Sequence, residues 1–432
     1  MIDITLLNTS SKQFSQILEK KLKMENIINK KVDREVSKII NTIKKNGDLS
    51  LTKYINKYDG YYLKNSKKIL LSKSEINNAY KRVTKVQIRS LKQSMKRIKS
   101  FAKNQLSSSW GKTLDQTYLG EKITPIKSVG IYVPGGTASY PSTVMMNAIP
   151  AKVAGVKNII MACPMGNLED HSLVIVAADL CGISKIYRMG GAHAIGALAY
   201  GTKVVPKVDK IVGPGNIFVT LAKKMVFGEV GIDNIAGPSE ILVIADDSCN
   251  SDWIAMDLFS QAEHDELAQP ILLTTSSIFI KKVITSMNKL LPMLPRKKII
   301  LKSLKNRGLI IKAKSIREIC NIANEIAPEH LEIAVKNNKK VFNSIQNAGA
   351  IFLGQFSPEV FGDYCAGPNH VLPTSGSAKF SSPLGVYDFQ KRSSVIKVSY
   401  KTAKELSELS SILAEAEGLH AHAYSARFRH KK

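Results

Sequence analysis

Polar side chains that could bind a metal ion or a small substrate crowd into the segment SQAEHDELAQP, residues 260–270. We expect this segment to form the last turns of a helix, on which Gln261 and His264 would share one face and could bind one ligand. Two donors do not complete a metal site, so other segments must supply the rest. Taken singly, each histidine is more typical of a structural or surface residue than of a ligand. The candidate donors elsewhere are Glu329, His330, Asp363, Glu417, His420 and His422.

Glycine-containing turns could bind a phosphate group of a cofactor. Gly135-Gly136, Gly190-Gly191 and Gly213-Pro-Gly215 each follow a short β-rich run and precede a helical stretch. That arrangement can present backbone N–H groups and a helix N-terminus to an anion. None completes the Gly-x-Gly-x-x-Gly pattern, because Phe218 stands where the third glycine is needed. Turns that serve only to pack helix on strand are an equal interpretation of the spacing.

The elements that must position these groups change in character along the chain. Roughly the first 125 residues predict helices, with apolar positions at a period of 3.6. From Ser128 onward, short β-rich runs alternate with helices, and the alternation begins again after the turn-rich segment IDNIAGPSE, residues 232–240. Strict alternation indicates right-handed crossovers and parallel sheets covered on both faces. The sequence therefore predicts an α/β fold with two Rossmann-like parallel-sheet domains, a helical N-terminal segment and a small C-terminal helical piece.

The composition limits the class of protein. The 432 residues are 44% hydrophobic, enough for two or three domains with their own cores. We expect no secretory leader and no membrane span, since even the most apolar run, VIVAADLCGI, is interrupted by Asp179. The five cysteines form no Cys-x-x-Cys pair, which indicates reduced thiols and a cytoplasmic location.

The charge balance raises the question of nucleic-acid binding. The chain has 62 basic and 35 acidic residues, a net charge of +27. The lysines are spread through segments that are also rich in Ile and Asn, and no zinc finger or basic stripe with stacking aromatics occurs. We therefore expect no nucleic-acid partner, and a non-catalytic basic protein remains an alternative.

Longer motifs identify a family. In chain order they are IYVPGGTASYPSTVMMNAIPAKVAGV, GGAHAIGALAYGT, VDKIVGPGN, AGPSEILVIAD, SQAEHD, APEHLEI, GDYCAGPNHVLPT and EAEGLHAHAYSARFR. This set closely resembles histidinol dehydrogenase over nearly the whole length, most strongly from Ser128 onward. The resemblance implies an NAD-dependent, zinc-containing enzyme that oxidises L-histidinol through the aldehyde to L-histidine, the last step of histidine biosynthesis. The hydrides would go to two NAD molecules in turn.

The resemblance also implies a metal and substrate site. Zinc, one ion per subunit, would be bound by Gln261, His264 and Asp363, with His422 supplied by the other subunit of an intertwined homodimer. Such N and O donors leave positions open that the imidazole and amine of the substrate would fill, so zinc would mainly orient the substrate. The implied substrate contacts are Ser239, Gln261, His264, His330, Asp363, Glu417 and His422.

The catalytic pair that the resemblance implies is Glu329 and His330. A neutral imidazole can take the hydroxyl proton while hydride leaves, and a carboxylate can deprotonate the water that attacks the aldehyde. Adjacent residues of a strand face opposite ways, so we expect Pro328 and the turn before LEIAV to let both side chains converge. The pair precedes its strand, whereas ligands of parallel sheets usually bind beyond the carboxyl ends.

The implied NAD contacts are Tyr132, His193 and Asn216. The family commonly has glutamine where this chain has His193. An imidazole can replace one amide contact but not the donor and the acceptor together. We therefore expect the affinity for NAD, or the contact itself, to depart from the family's pattern here. We expect His370 to be structural.

The resemblance leads to an expected division of the chain. Residues 29–131 and 239–384 would form a first α/β domain with the metal and catalytic residues, after an N-terminal helical segment at 1–28. Residues 132–238 would form a second α/β domain on the NAD side, and 385–432 a C-terminal dimerisation segment.

One alternative concerns Cys365, two residues after Asp363. Its thiol could capture the aldehyde as a thiohemiacetal in place of direct hydration. No environment that would lower its pKa is evident in the sequence.

Overall fold

The computed structural model describes residues 2–23, 30–135, 140–235 and 237–429. In chain order the strands are β1 (Thr5–Asn8), β2 (Trp110–Leu114), β3 (Thr117–Pro125), β4 (Ser128–Tyr132), β5 (Asn158–Cys163), β6 (Lys185–Arg188), β7 (Lys210–Val212), β8 (Gly231–Ile232), β9 (Glu240–Ala245), β10 (Gln269–Thr274), β11 (Leu309–Lys312), β12 (His330–Ala334), β13 (Ala350–Leu353) and β14 (Gln390–Val398). The α-helices are α1 (Phe14–Leu22), α2 (Lys30–Asn46), α3 (Asp48–Tyr58), α4 (Lys73–Arg82), α5 (Lys85–Lys103), α6 (Pro141–Ala154), α7 (Ser172–Leu180), α8 (Gly191–Tyr200), α9 (Ile217–Val226), α10 (Ser251–Ala262), α11 (Ser277–Leu290), α12 (Lys297–Arg307), α13 (Ile316–Ile326), α14 (Asn338–Phe342), α15 (Glu359–Tyr364), α16 (Tyr400–Ala416) and α17 (His420–Arg427).

A parallel sheet is built from the middle of the chain. Its strand order is β6-β5-β4-β7-β8, and every neighbouring pair runs parallel. The order reverses at β4, which has β5 on one side and β7 on the other. Such a switch point opens a crevice beyond the carboxyl ends of the two strands. The turn that begins at Gly213, directly after β7, borders this crevice.

A second parallel sheet has the order β1-β11-β10-β9-β12-β13. Its strands β9 and β10 are buried along their whole length, as expected for strands with helices on both faces. His330 is the first residue of β12 and pairs with Ile241 near the start of β9. Glu329 and His330 therefore lie at the amino edge of this sheet, as their position before LEIAV predicted. With two parallel sheets, the predicted α/β class is confirmed.

The helices α2 to α5 cover the first sheet. Helix α2 packs on α8 and α9, α4 on α7, and α5 on α6. We expected the segment 29–131 to join 239–384, but these helices pack instead on the helices of the sheet in the segment 128–232. The segment 1–28, expected to be helical, contributes β1 to the edge of the other sheet before α1 begins.

An antiparallel sheet that the sequence did not predict joins distant parts of the chain. Strand β14 pairs along its length with β3, and β3 pairs with β2. These strands are mostly exposed, so their sequences lack the apolar alternation that marks a half-buried strand. After β14 the chain forms α16 and α17, which pack on each other. The small C-terminal helical piece is thus confirmed, although a strand precedes it.

Four apolar clusters form the cores of the two parallel sheets, two for each sheet. Burial of this area is the main favourable contribution to folding, at roughly 25 cal/mol per Å². Among the helices of the described ranges, none combines the length and the apolar content that a membrane crossing requires.

Candidate active site

A cavity of about 480 Å³ lies between the two parallel sheets. One wall is formed at the carboxyl edge of the first sheet by Pro134 and the turn at 213–217, and the opposite wall at the amino edge of the second sheet. The cavity gathers residues that are far apart in sequence. The predicted site residues that line it are Asn216, Ser239, Gln261, His264, Glu329, His330 and Asp363.

Glu329 and His330 both bond to the backbone of Glu240 on β9. Glu329 Oε2 accepts the N–H of Glu240 at 2.9 Å, and His330 Nδ1 lies 2.9 Å from the carbonyl oxygen of Glu240. Helix α13 ends at Ala327 in the left-handed region, φ +50°, and Pro328 then leads Glu329 into the site ahead of the strand. This turn lets the two neighbouring side chains converge, as we expected.

The tautomer of His330 follows from its partner. A carbonyl oxygen can only accept, so Nδ1 carries the hydrogen and Nε2 keeps its lone pair. None of the described residues offers a hydrogen-bond partner to Nε2. Burial lowers the pKa of His330 below its ordinary value, which favours the neutral ring. His330 is therefore a base whose accepting atom is free in the cavity.

Glu329 is buried and has carboxylate neighbours. Burial raises its pKa well above the ordinary value, and the charges of Glu240 and Asp363 act in the same direction. The bond from the Glu240 N–H opposes this shift by stabilising the carboxylate. A buried carboxyl group with a raised pKa beside other titratable groups is typical of acid–base sites.

Helix α15 brings a second acid to the site. Glu359 and Asp363 are four residues apart on one helical face, and each has a carboxylate oxygen 3.9 Å from His330 Nε2. Burial raises the pKa of Glu359 to about 10, and the charge of Asp363 adds to the rise. Burial opposes the ionisation of Asp363, yet the nearby His370 and His330 hold its pKa below the usual value. Glu359 was missed from the sequence, although its spacing from Asp363 was a usable signal.

His370 is also part of the site. Its Nδ1 donates to the carbonyl oxygen of Asp363 at 3.0 Å and lies 3.6 Å from a carboxylate oxygen of that residue. Burial lowers the pKa of His370. We expected a structural residue, and the structure makes it a lining residue of the cavity that also anchors Asp363.

Gln261 and His264 reach the cavity from the end of α10. The helix ends at Ala262, one turn earlier than we expected, so His264 lies in the following turn, with its N–H bonded to the carbonyl oxygen of Gln261 at 3.2 Å. Gln261 is fully buried, and none of the described residues bonds to either atom of its amide. His264 is exposed, and its charge acts on Asp363, His330 and His370.

The residues present fit a divalent metal ion. Buried polar atoms that find no partner among the described residues include the Gln261 amide, His330 Nε2 and Glu359 Oε1. Ligand atoms of His330, Glu359 and Asp363 lie within 4.8 Å of one another. Burying unpartnered polar atoms is costly unless something binds them, and an N and O donor set suits zinc. Asp363 belongs both to this group and to the predicted ligand set.

The remaining predicted cofactor residues differ in their surroundings. Asn216 is the N-cap of α9, and its Oδ1 accepts from the N–H groups of Phe218 and Val219 at 3.1 and 3.3 Å. Tyr132 is buried, and its hydroxyl accepts the N–H of Gly191 at 3.1 Å. Tyr132 therefore supports the turn before α8 and is not among the described residues that line the cavity.

His193 is buried behind the cavity. Its Nε2 lies 2.9 Å from Asp59 Oδ2, and its ring centroid lies 6.2 Å from those of both Tyr54 and Tyr58. Like Tyr132, His193 is not among the described residues that line the cavity. The imidazole that replaces the family's glutamine thus bonds to a carboxylate of the helical layer.

The glycine turns use their N–H groups within the chain. Gly190 donates to Asp59 Oδ2 at 3.0 Å and Gly213 to Asp233 Oδ2 at 2.7 Å. The spacing left phosphate binding and helix-on-strand packing as equal interpretations, and in these two turns carboxylates of the chain accept the N–H groups. Of the third turn, Gly136 lies outside the described residues.

Glu417 and His422 are not brought to the cavity in the single chain. Glu417 is the C-cap of α16 and His422 lies on α17, and both are exposed. The two helices expose several apolar side chains. They are Tyr400, Leu406, Leu409, Ile412, Leu413, Leu419, Tyr424 and Phe428.

Comparisons with known proteins identify the family of this chain. The family model of histidinol dehydrogenase matches residues 22–430. The histidinol dehydrogenase of Nitrosomonas europaea is 51% identical over 432 residues and covers 100% of each chain. That of Neisseria meningitidis serogroup B is 51% identical over 426 residues, 98% of this chain and 99% of the relative. The crystal structure of histidinol dehydrogenase from Elizabethkingia anophelis superposes with a TM-score of 0.93 at 34% identity, covering 99% of this chain and 98% of that chain.

Proposed function

The chain belongs to the histidinol dehydrogenase family and is an oxidoreductase of histidine biosynthesis, and we propose that it converts L-histidinol to L-histidine by a zinc-containing, NAD-dependent, four-electron oxidation. The observation that carries this proposal is the free Nε2 of His330 in a cavity between two parallel sheets. A base at that atom is what removal of a hydroxyl proton requires. Two molecules of NAD, bound one after the other, would each supply the acceptor for one hydride.

His330 acts as the base of the first oxidation. Its Nδ1–H is held by the carbonyl oxygen of Glu240, so the ring keeps one orientation and one tautomer. Nε2 takes the proton of the substrate hydroxyl, and the resulting imidazolium is stabilised by the nearby carboxylate of Asp363. This assignment of roles is supported by the burial that keeps the resting ring neutral.

Glu329 acts in the second oxidation. Its carboxylate removes a proton from the water that adds to the aldehyde, which gives the hydrate from which the second hydride leaves. The N–H of Glu240 holds one oxygen, Oε2, and so aims the other. Burial raises the pKa of Glu329, which favours retention of the proton that it takes from water.

Gln261, His264 and Asp363 would hold zinc. The ion, when bound, supplies a fixed positive charge that orients the imidazole and amine of the substrate. His370 anchors Asp363 from behind through its Nδ1. Ser239 lines the cavity just before β9, where its hydroxyl can contact the substrate. Asn216, on the opposite wall, is the residue that would contact NAD from the side of the first sheet.

The site is proposed to be completed by a second subunit. Glu417 and His422 would come from the partner of a homodimer and contribute a substrate contact and the remaining zinc ligand. Support comes from the apolar side chains that α16 and α17 expose, because exposed apolar area of this kind is typical of subunit interfaces. A cytoplasmic location stays a prediction that rests on the cysteine pattern.

The experiment that tests the proposal measures NADH formed per histidinol consumed. We expect a ratio of about two, no NADH after dialysis against a chelator, and recovery when zinc is added back. A ratio of one would mean that the reaction stops at the aldehyde. Activity that survives complete removal of metal would rule out the role of zinc.

A further inference from the structure

Lys223 is a buried lysine in the wall of the cavity. It lies on α9, its side chain is only 4% exposed, and its ammonium has three acceptors. They are the carbonyl oxygen of Gly213 at 3.0 Å, the carboxylate of Asp233, and the carbonyl oxygen of Asn234 at 3.4 Å. An ammonium group has three hydrogens, so these acceptors use all of them. Lys223 therefore acts on the chain itself and has no donor left for a ligand.

Asp233 closes a ring of contacts around one turn. Its second oxygen accepts the N–H of Gly213 at 2.7 Å, so the ion pair holds both the N–H and the carbonyl group of this glycine. Gly213 has φ +113°, and an added Cβ would lie 2.1 Å from the carbonyl oxygen of Tyr132. The turn thus needs a backbone conformation that glycine allows, and the hydrogen bonds from the Lys223–Asp233 pair hold it in that conformation.

The ion pair connects the two walls of the cavity. Gly213 leads through two residues to Asn216, the cofactor residue at the start of α9. Asp233 and Asn234 begin the linker that leads from β8 to Ser239 on the opposite wall. The ammonium group of Lys223 therefore fixes the position of the turn at Gly213 relative to the start of the linker, Asp233 and Asn234.

We propose that Lys223 and Asp233 are positioning residues for NAD, which hold the turn at 213–216 in the conformation that binds the cofactor. This inference rests on the proposed function, since it takes NAD as the ligand of that turn. Without the ammonium, the turn adopts other conformations as well. NAD then binds only the fraction of molecules in which the turn has the binding conformation. Apparent affinity falls by that fraction, while the chemistry in the saturated complex is preserved.

The direct test compares Lys223→Met with Lys224→Met, a neighbour on the same helix whose side chain is exposed. We expect the KM for NAD to rise about 10-fold or more in Lys223→Met, while kcat at saturating NAD and the KM for histidinol change less than about 3-fold. The dissociation constant for NAD, measured by calorimetry without substrate, should rise in parallel. Lys224→Met should behave as the unchanged protein. A KM for NAD that stays unchanged, or a kcat that falls as much as kcat/KM, would overturn the proposal.

A second measurement needs no cofactor. Hydrogen exchange in the ligand-free protein should become faster at 213–217 in Lys223→Met, with no change in β9 or β12. If the single variant does not fold, Lys223→Met combined with Asp233→Asn removes both buried charges and gives the same readouts. If the unchanged protein does not reduce NAD with histidinol, the proposed function is wrong. If it does, but hydrogen exchange at 213–217 is the same in Lys223→Met, only the present inference is wrong.

Discussion

Glu329 and His330 are neighbours in sequence that bond to the N–H and the carbonyl group of one residue, Glu240. Both side chains are therefore attached to strand β9 rather than to a loop. This attachment fixes the separation between the two groups for which we propose roles in the two oxidations. Substitutions can also separate the two proposed roles, because a replacement side chain can keep its hydrogen bond to Glu240 while it loses the ability to accept a proton.

Replacing His330 should stop the first oxidation. We expect His330→Asn to lower kcat by about 10²–10⁴-fold, because the asparagine amide has no basic nitrogen that could take the hydroxyl proton. Zinc content, measured by atomic absorption, should stay at one per subunit. His420→Asn, on the exposed start of α17, is the matched control and should keep its activity. Loss of zinc from His330→Asn would mean that His330 is itself a ligand.

Glu329→Gln should separate the two oxidations. The amide oxygen can still accept the N–H of Glu240, but it cannot deprotonate water. We expect oxidation of added L-histidinal to fall about 10²-fold or more, with the first hydride transfer largely preserved in single-turnover measurements. Stoichiometric loss of zinc from this variant would contradict the division of roles.

Glu240 should make the stability of the metal-free protein depend on pH. Burial raises its pKa from 4.5 to about 7. As pH rises through this window the unfolded chain releases the proton before the folded chain does, so the free energy of unfolding decreases. The loss should reach about 3 kcal/mol above pH 7, at 1.36 kcal/mol for each pKa unit.

The matched variant for that effect is Glu240→Gln, which imitates the protonated side chain. Its stability relative to the unchanged metal-free protein should increase between pH 5 and about 7 and then level off, as measured by urea unfolding. A constant difference across this range would show that Glu240 ionises as readily in the folded protein as in the unfolded chain.

A shared site predicts complementation between inactive subunits. Mixing His422→Ala with Glu329→Gln after proven subunit exchange should restore up to about a quarter of the activity. Half of the dimers would be mixed, and each mixed dimer would have one intact site. Either variant mixed with itself is the control. Absence of any recovery would place both residues in the site of their own chain.

Cys365→Ser tests the thiohemiacetal route. The thiol is exposed and, among the described residues, is not one of those that line the cavity. We expect conversion of histidinol to histidine within about twofold of the unchanged protein, since hydration by Glu329 does not need the thiol. Accumulation of histidinal in this variant would support the route through a thiohemiacetal on Cys365.

The sequence predicted the site better than it predicted its surroundings. Long motifs marked Gln261, Glu329, His330 and Asp363, and the fold brings them to one cavity. Glu359 was missed because its spacing from Asp363, although a usable signal, does not show that both acids are buried. His370 was expected to be structural, and its bond to the Asp363 carbonyl oxygen is such a role; its place in the cavity wall depends on how α15 packs.

The cofactor side was harder to predict because glycine patterns do not reveal which acceptors their N–H groups meet. Gly190 and Gly213 were recognised as turns, but Asp59 lies 131 residues before Gly190, in another layer of the fold. The bond between His193 and Asp59 likewise depends on the docking of α3. The pairing of β3 with β14 escaped prediction because exposed strands carry little apolar pattern.

Strands β1 and β3 each pair with a strand that lies far later in the sequence. Thr5 in β1 pairs with Leu309, and Thr117–Pro125 in β3 waits for Gln390–Val398. During synthesis on the ribosome, the edge of the second sheet stays open until about 300 residues have been added, and the antiparallel ladder closes last. The helices that carry Glu417 and His422 follow that ladder, so the surface that we propose for a second subunit is synthesised only after the strands of both parallel sheets.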